Sequence, residues 1–139
     1  MLRCTKQEAG EWGEEIAARH LQSTGMRLIG RNLEAPEAEI DILAADGADL
    51  VVIEVKTGWY PIGRLGHRPG EHFSHSDLGR RRRAATRMAN AEGMHPRVDL
   101  VEILAGRGPN GVEIVHTRGA HDPSGGAPRN PAGRARSRL

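Results

Sequence analysis

Ala38-Glu39-Ile40-Asp41-Ile42-Leu43-Ala44, the turn Asp46-Gly47-Ala48-Asp49, and Leu50-Val51-Val52-Ile53-Glu54-Val55-Lys56 decide the reading of this chain. Two apolar runs around a Gly-containing turn predict a β-hairpin. A turn centred between Gly47 and Ala48 sets Asp41 directly opposite Glu54. A two-residue Asp46-Gly47 turn instead sets Glu39 opposite Glu54 and leaves Asp41 diagonal to it. In both registers Glu39 and Asp41 share a face with Glu54 and Lys56, because side chains alternate along a strand. Ile40, Ile42, Val51, Ile53 and Val55 are expected on the opposite face as core. Like charges facing each other destabilise a sheet, and a divalent cation between them converts that repulsion into coordination. The plainer interpretation is a solvated strand face. Leu43 and Val52 lie on the acidic face, however, so it is not simply a wet surface.

Working outward, Lys6 to Thr24 predicts a helix, with Trp12, Ile16, Ala17 and Leu21 at helical spacing and Gly25 as its stop. Met26 to Arg31 predicts a first strand, and residues 38–44 and 50–56 the second and third. Thr57 to Ser74, with six Gly and Pro residues, reads as a long loop. A second helix is expected from about Ser76 to Ala91, a fourth strand from Arg97 to Ala105 and a fifth from Val112 to Thr117. From Arg118 onward Gly, Pro, Ala, Arg and Ser dominate, which predicts a disordered tail over 118–139. The order α-β-β-β-α-β-β describes one α/β domain over 1–117, a mixed sheet of about five strands flanked by helices.

Glu14 is the second informative position. It shares a helical stripe with Ala17, Ala18 and Leu21, and a carboxylate on an apolar face needs a partner. The hairpin acids offer a metal site to supply one. The competing interpretation is an acid near the helix N-terminus beside Glu11 and Glu15, where negative charge is favoured.

The chain has 139 residues, 37% of them hydrophobic and 3% aromatic, so aliphatic side chains must build the core. No apolar run approaches the roughly 20 residues of a membrane span, and no signal peptide is visible. Cys4 is the single cysteine, which excludes an internal disulfide and fits a reducing, cytoplasmic setting. Residues 1–56 hold 6 basic and 11 acidic residues, a net −5, and residues 57–139 hold 14 and 7, a net +7. A cation in the acidic half and a polyanion on the basic half suit a metal-dependent enzyme acting on nucleic acid. An arginine-rich composition with a basic tail is the alternative. His67, His72 and His75 have ligand-like spacing for zinc, but structural zinc sites usually add cysteines, and Cys4 is remote.

Gly13-Glu14-Glu15-Ile16-Ala17, Arg31-Asn32, Ala38 to Ala44, Val52-Ile53-Glu54-Val55-Lys56 and Arg97-Val98-Asp99-Leu100-Val101 together resemble the YraN family. These are bacterial proteins with a restriction-endonuclease-like fold, and the similarity spans Gly10 to Thr117. The resemblance implies the PD-(D/E)XK nuclease arrangement. Asp41 and Glu54 would be metal ligands, Lys56 the active-site lysine and Glu14 a helix-borne acid as in junction-resolvase-like members. Ala38 stands where the family has glycine, Gly58 where it has arginine, and Asp77 where it often has lysine.

The activity implied is magnesium- or manganese-dependent hydrolysis of DNA, branched DNA included. Asp41, Glu54 and the Val55 carbonyl would hold the metal, and Lys56 would orient water or stabilise developing charge. Arg80, Arg81, Arg82 and Arg83 would contact the phosphate backbone, or else form a solvated helix face. Two other readings remain open: a non-catalytic nucleic-acid-binding module with this fold, and a scaffold that engages a protein through the basic tail.

Overall fold

The computed structural model describes residues 5–59, 74–106, 111–120 and, in backbone alone, 134–138. Its elements are α1 (Lys6–Ser23), β1 (Arg27–Glu34), β2 (Glu39–Asp46), β3 (Asp49–Trp59), α2 (His75–Glu92), β4 (His95–Ala105), β5 (Val112–Thr117) and β6 (Arg134–Arg138). The strands form one sheet in chain order. β3 and β4 run parallel, joined across α2, and every other neighbouring pair is antiparallel. The mixed α/β sheet flanked by two helices is the expected fold, in the expected order.

Local chemistry explains the boundaries. Thr5 caps α1 in a reciprocal capping box with Glu8, and Gly25 leaves the helix at φ +95°. Ser74 caps α2 by accepting from the Asp77 amide, and Gly93 closes it in the left-handed region. The β2–β3 turn uses Gly47 and Ala48, with Asp46 paired to Asp49 and Ile42 to Ile53. This is the first of the two registers offered by the sequence.

The helices cover opposite sheet faces. α1 lays Ala17, Ala18 and Leu21 against Ile42, Ala44, Val51, Ile53, Val101, Ile103 and Ile114. α2 lays Ala84, Ala85 and Ala89 against Leu43, Leu50, Val52 and Val98. The side of the hairpin that carries Leu43, Val52 and Glu54 is therefore the α2 face, and its apolar end is core.

Several expectations are corrected. Ile40 packs on the α2 side with Leu33, not with Ile42. Its β1 partner strand carries Asn32 at φ +52°, a left-handed residue that breaks the alternation between Arg31 and Leu33. Trp12 does not join the core stripe and is 39% exposed. The long loop was expected from Thr57, but β3 continues to Trp59. Parallel pairing with β4 through Thr57↔Ile103, Gly58↔Leu104 and Trp59↔Ala105 supplies backbone partners that local propensity does not reveal. Residues 60–73 lie outside the described residues. The tail expected to be disordered contributes β6, which pairs along β5. Composition is silent on this because the backbone groups of an edge strand, not side chains, recruit it.

Candidate active site

The site forms where β2 and β3 part. Their regular pairing ends at Ile42↔Ile53. One residue further on, Asp41 turns its carboxylate to the opposing backbone, and its Oδ2 accepts from the Val55 amide at 2.8 Å. Glu54 stands beside it, 5% exposed, on the strand segment that Asp41 fastens. The hairpin thus places two carboxylates and the Val55 main chain together.

Glu54 has two cationic neighbours. Lys56 Nζ lies 3.2 Å from Oε1, and Arg81 Nε of α2 donates to Oε2 at 2.8 Å. Burial first, and then the Asp41 charge, nevertheless raise the Glu54 carboxyl to about 7 against the opposing pull of Arg81 and Lys56. A carboxyl so raised despite two cations marks a position where added positive charge is favourable.

Glu14 approaches from α1. Burial and then the Asp41 charge push its carboxyl upward, opposed by Arg31 and by a hydrogen bond with the Asn32 side chain. Its close approach depends on Gly13. A Cβ there would meet Thr57 Oγ1 at 1.9 Å, so only glycine lets α1 rest on the end of β3. Glu15, the other acid of the pair, is turned outward to Arg19 and Arg31.

Glu14, Asp41, Glu54, Val55 and Lys56 are therefore brought to one end of the hairpin. Glu39 is exposed at the start of β2 and pairs with Glu34 of β1. The arginine run is divided. Arg80 pairs with Asp77, Arg81 is directed to Glu54 and to the Asp77 carbonyl, and Arg82 donates to the Pro96 carbonyl at 2.9 Å. Arg83 is exposed. A run of four adjacent helical residues spreads around the axis at ~100° each, so it does not present one basic face. His75 opens α2, while His67 and His72 lie outside the described residues. Among the described residues no three His, Cys, Asp or Glu side chains are grouped as a ready metal cage. Asp41 and Glu54 form a pair that a carbonyl and waters would complete, which suits magnesium.

Sequence reasoning gave Arg81 another role and gave none to three further residues. Arg81 was assigned to the nucleic-acid backbone and instead holds Glu54. Arg31 and Asn32 act on Glu14. Glu102, 1% exposed, lies opposite Lys56 in the parallel ladder. The signal for Glu102 was available as an acid between Val101 and Ile103, and Glu113 repeats it between Val112 and Ile114.

A second charged cluster lies beyond the hairpin turn. Arg97 bonds Asp99, Asp49 and Asp46, and buried Asp99 also bonds His116 Nε2 at 2.8 Å. His116 Nδ1 in turn meets His20 Nε2 of α1 at 3.3 Å. Burial raises Asp99, but hydrogen bonds from His116 and Arg97 outweigh it and hold the carboxyl low. This chain ties the hairpin to β4, β5 and α1.

The fold is that of a mixed α/β protein whose sheet is flanked by two helices. A profile of the family described as "Uncharacterised protein family UPF0102" matches residues 13–103. The UPF0102 protein of Beutenbergia cavernae is 36% identical over 117 residues, covering 82% of this chain and 96% of that protein. The UPF0102 proteins of a Nocardioides species (40% identical, 82% of this chain, 91% of that protein) and an Arthrobacter species (41%, 79% and 92%) are similar to it over the same extent. The chain belongs to the UPF0102, or YraN, family. Among the described residues no helix is long and apolar enough to cross a membrane.

Proposed function

We propose that this protein is a metal-dependent nuclease of the cytoplasm that hydrolyses phosphodiester bonds in DNA. The observation that carries the proposal is the nearness of Asp41, bonded to the Val55 amide, to buried Glu54 where β2 and β3 part, with Lys56 3.2 Å from Glu54. The donor set fits a hard divalent cation, magnesium or manganese: two carboxylates and the Val55 carbonyl, in a place where Glu54 resists carrying its charge uncompensated. Bound there, the metal would acidify water and neutralise charge on the phosphate.

The residues divide the remaining work. Lys56, 38% exposed at its side chain, can reach a substrate oxygen and stabilise negative charge as it develops. Arg81 keeps Glu54 oriented and adds positive charge to the cleft. Glu14 brings a third carboxyl, raised by burial and Asp41, to a position suited to accepting a proton or holding a water. Arg83, exposed on α2, faces outward for phosphate contact.

One observation favours a second reading. Both Glu54 oxygens are already engaged by cationic side chains, as expected of a nucleic-acid-binding module that keeps the fold without catalysis. Labelled single-stranded, duplex, flapped and four-way-junction DNA, incubated with magnesium or manganese, with or without chelator, separates the two. Cleavage that needs metal and disappears in Asp41→Asn, which retains an acceptor for Val55, supports the nuclease. Binding of equal strength with and without metal, with no cleavage of any substrate, supports the module.

A further inference from the structure

Both tryptophans of this chain stand together at its surface. Trp12 of α1 and Trp59 at the end of β3 are parallel to within 5°, with ring centroids 6.4 Å apart. They are 39% and 59% exposed, in a chain whose core is aliphatic. Large flat apolar faces held open to water are a feature of interaction surfaces. Their position is set by the site itself. Trp12 is two residues from Glu14, and Trp59 is three residues beyond Lys56, about 10 Å along the strand. Gly13 and Thr57, which lie between them in the two elements, touch so closely that no Cβ is accommodated. The contact that delivers Glu14 to the hairpin is thus the contact that builds the aromatic pair.

We propose that Trp12 and Trp59 form a stacking platform for unpaired bases of a nucleic-acid strand, so that the substrate is one with a single-stranded segment at the site. Every base presents a flat π face, so an exposed indole beside a phosphate-handling cleft binds single strands irrespective of sequence. Charge complementarity selects this occupant over an apolar protein segment. The half of the chain that contains Trp59 carries a net +7, and Lys56, 38% exposed, precedes Trp59 by three residues on β3. Interior duplex bases stack on one another, and only the two end pairs have a free face to offer. The inference rests on the nucleic-acid reading of the same cleft, but not on turnover.

Because no other tryptophan exists in the chain, intrinsic fluorescence reports on this pair alone. The full chain, in chelator, is titrated with oligo(dT) and separately with a blunt duplex of equal charge, and acrylamide quenching is measured at saturation. The expected result is strong quenching and protection from acrylamide by oligo(dT) and little of either with the duplex. Trp59→Ala should weaken oligo(dT) binding roughly tenfold and leave duplex binding unchanged, with Trp59→Phe intermediate. Unaltered fluorescence and unaltered acrylamide access in the wild type on binding oligo(dT) would overturn the proposal. So would equal loss of single-strand and duplex binding in the variants, which marks a purely structural contact. The wild-type measurements decide the matter if a variant fails to fold. Binding with quenching but no cleavage under any metal would sink the nuclease reading and leave the platform standing.

Discussion

Glu54→Gln should make the metal-free protein more stable above neutral pH. The folded carboxyl is raised from 4.5 to about 7 by burial and by Asp41, whereas the unfolded chain leaves it near 4.5. Folding therefore favours the protonated form. The Glu54 contribution is fully present below pH 4.5 and is lost as pH rises through about 7. The gap corresponds to a loss of about 3 kcal/mol at pH 8 and above, at 1.36 kcal/mol per pH unit. Glutamine mimics the protonated acid, and its amide oxygen can still accept from Arg81. Urea unfolding in chelator should find the variant and the wild type alike at pH 4.5 and the variant up to ~3 kcal/mol more stable at pH 8.5. Loss of the charged contacts to Arg81 and Lys56 takes nothing further from that gain, because their opposing effect is already contained in the raised value. Magnesium should narrow the difference at pH 8.5 by stabilising only the wild type. A difference independent of pH, or a variant less stable at pH 8.5, would refute the reasoning. Glu54 would then be a satisfied structural ion pair.

Gly13→Ala should destabilise the fold by ~1–3 kcal/mol, since the new Cβ overlaps Thr57 Oγ1, and thermal unfolding should recover in part when Thr57→Ala is added. His20 is held down to about 4 by burial and then by His116. As pH falls from 7 to 4.5 the unfolded chain takes up a proton that the folded chain refuses, so the wild type should lose about 2–3 kcal/mol more than His20→Gln. Equal acid sensitivity in the two proteins would argue that His20 is freely solvated. Arg97→Met leaves Asp99 buried without its guanidinium and should cost about 3–5 kcal/mol in urea unfolding. Lys56→Met should keep the melting temperature within a few degrees, because its side chain is 38% exposed, while lowering any metal-dependent cleavage about 10²–10³-fold.

Much of the fold was legible because its signals are local. Period-two alternation marked β2 and β3, the Gly-containing turn limited their pairing to two registers, and helical spacing with capping residues marked α1 and α2. The errors occur where a partner distant in the chain decides the outcome. β3 runs on to Trp59 because β4 offers it backbone groups. Residues 134–138 form a strand because β5 has an open edge. Trp12 fits the apolar stripe of α1 by spacing, yet it stacks on Trp59, a residue 47 positions away. Ile40 crosses to the α2 side where Asn32 breaks the alternation of the neighbouring strand.

The sequence by itself determined which acids share the hairpin and narrowed their pairing to two registers, because a strand's alternation is a property of adjacent residues; the structure selected the register that brings Asp41 toward Glu54. Only the tertiary structure decided what those acids meet. Packing of α2 on the sheet turned one arginine of four inward to Glu54, and the glycine contact between α1 and β3 carried Glu14 to the hairpin. It also decided the charge state of the site. Burial and the nearness of like charge, which no single segment contains, set how readily Glu54 gives up its proton.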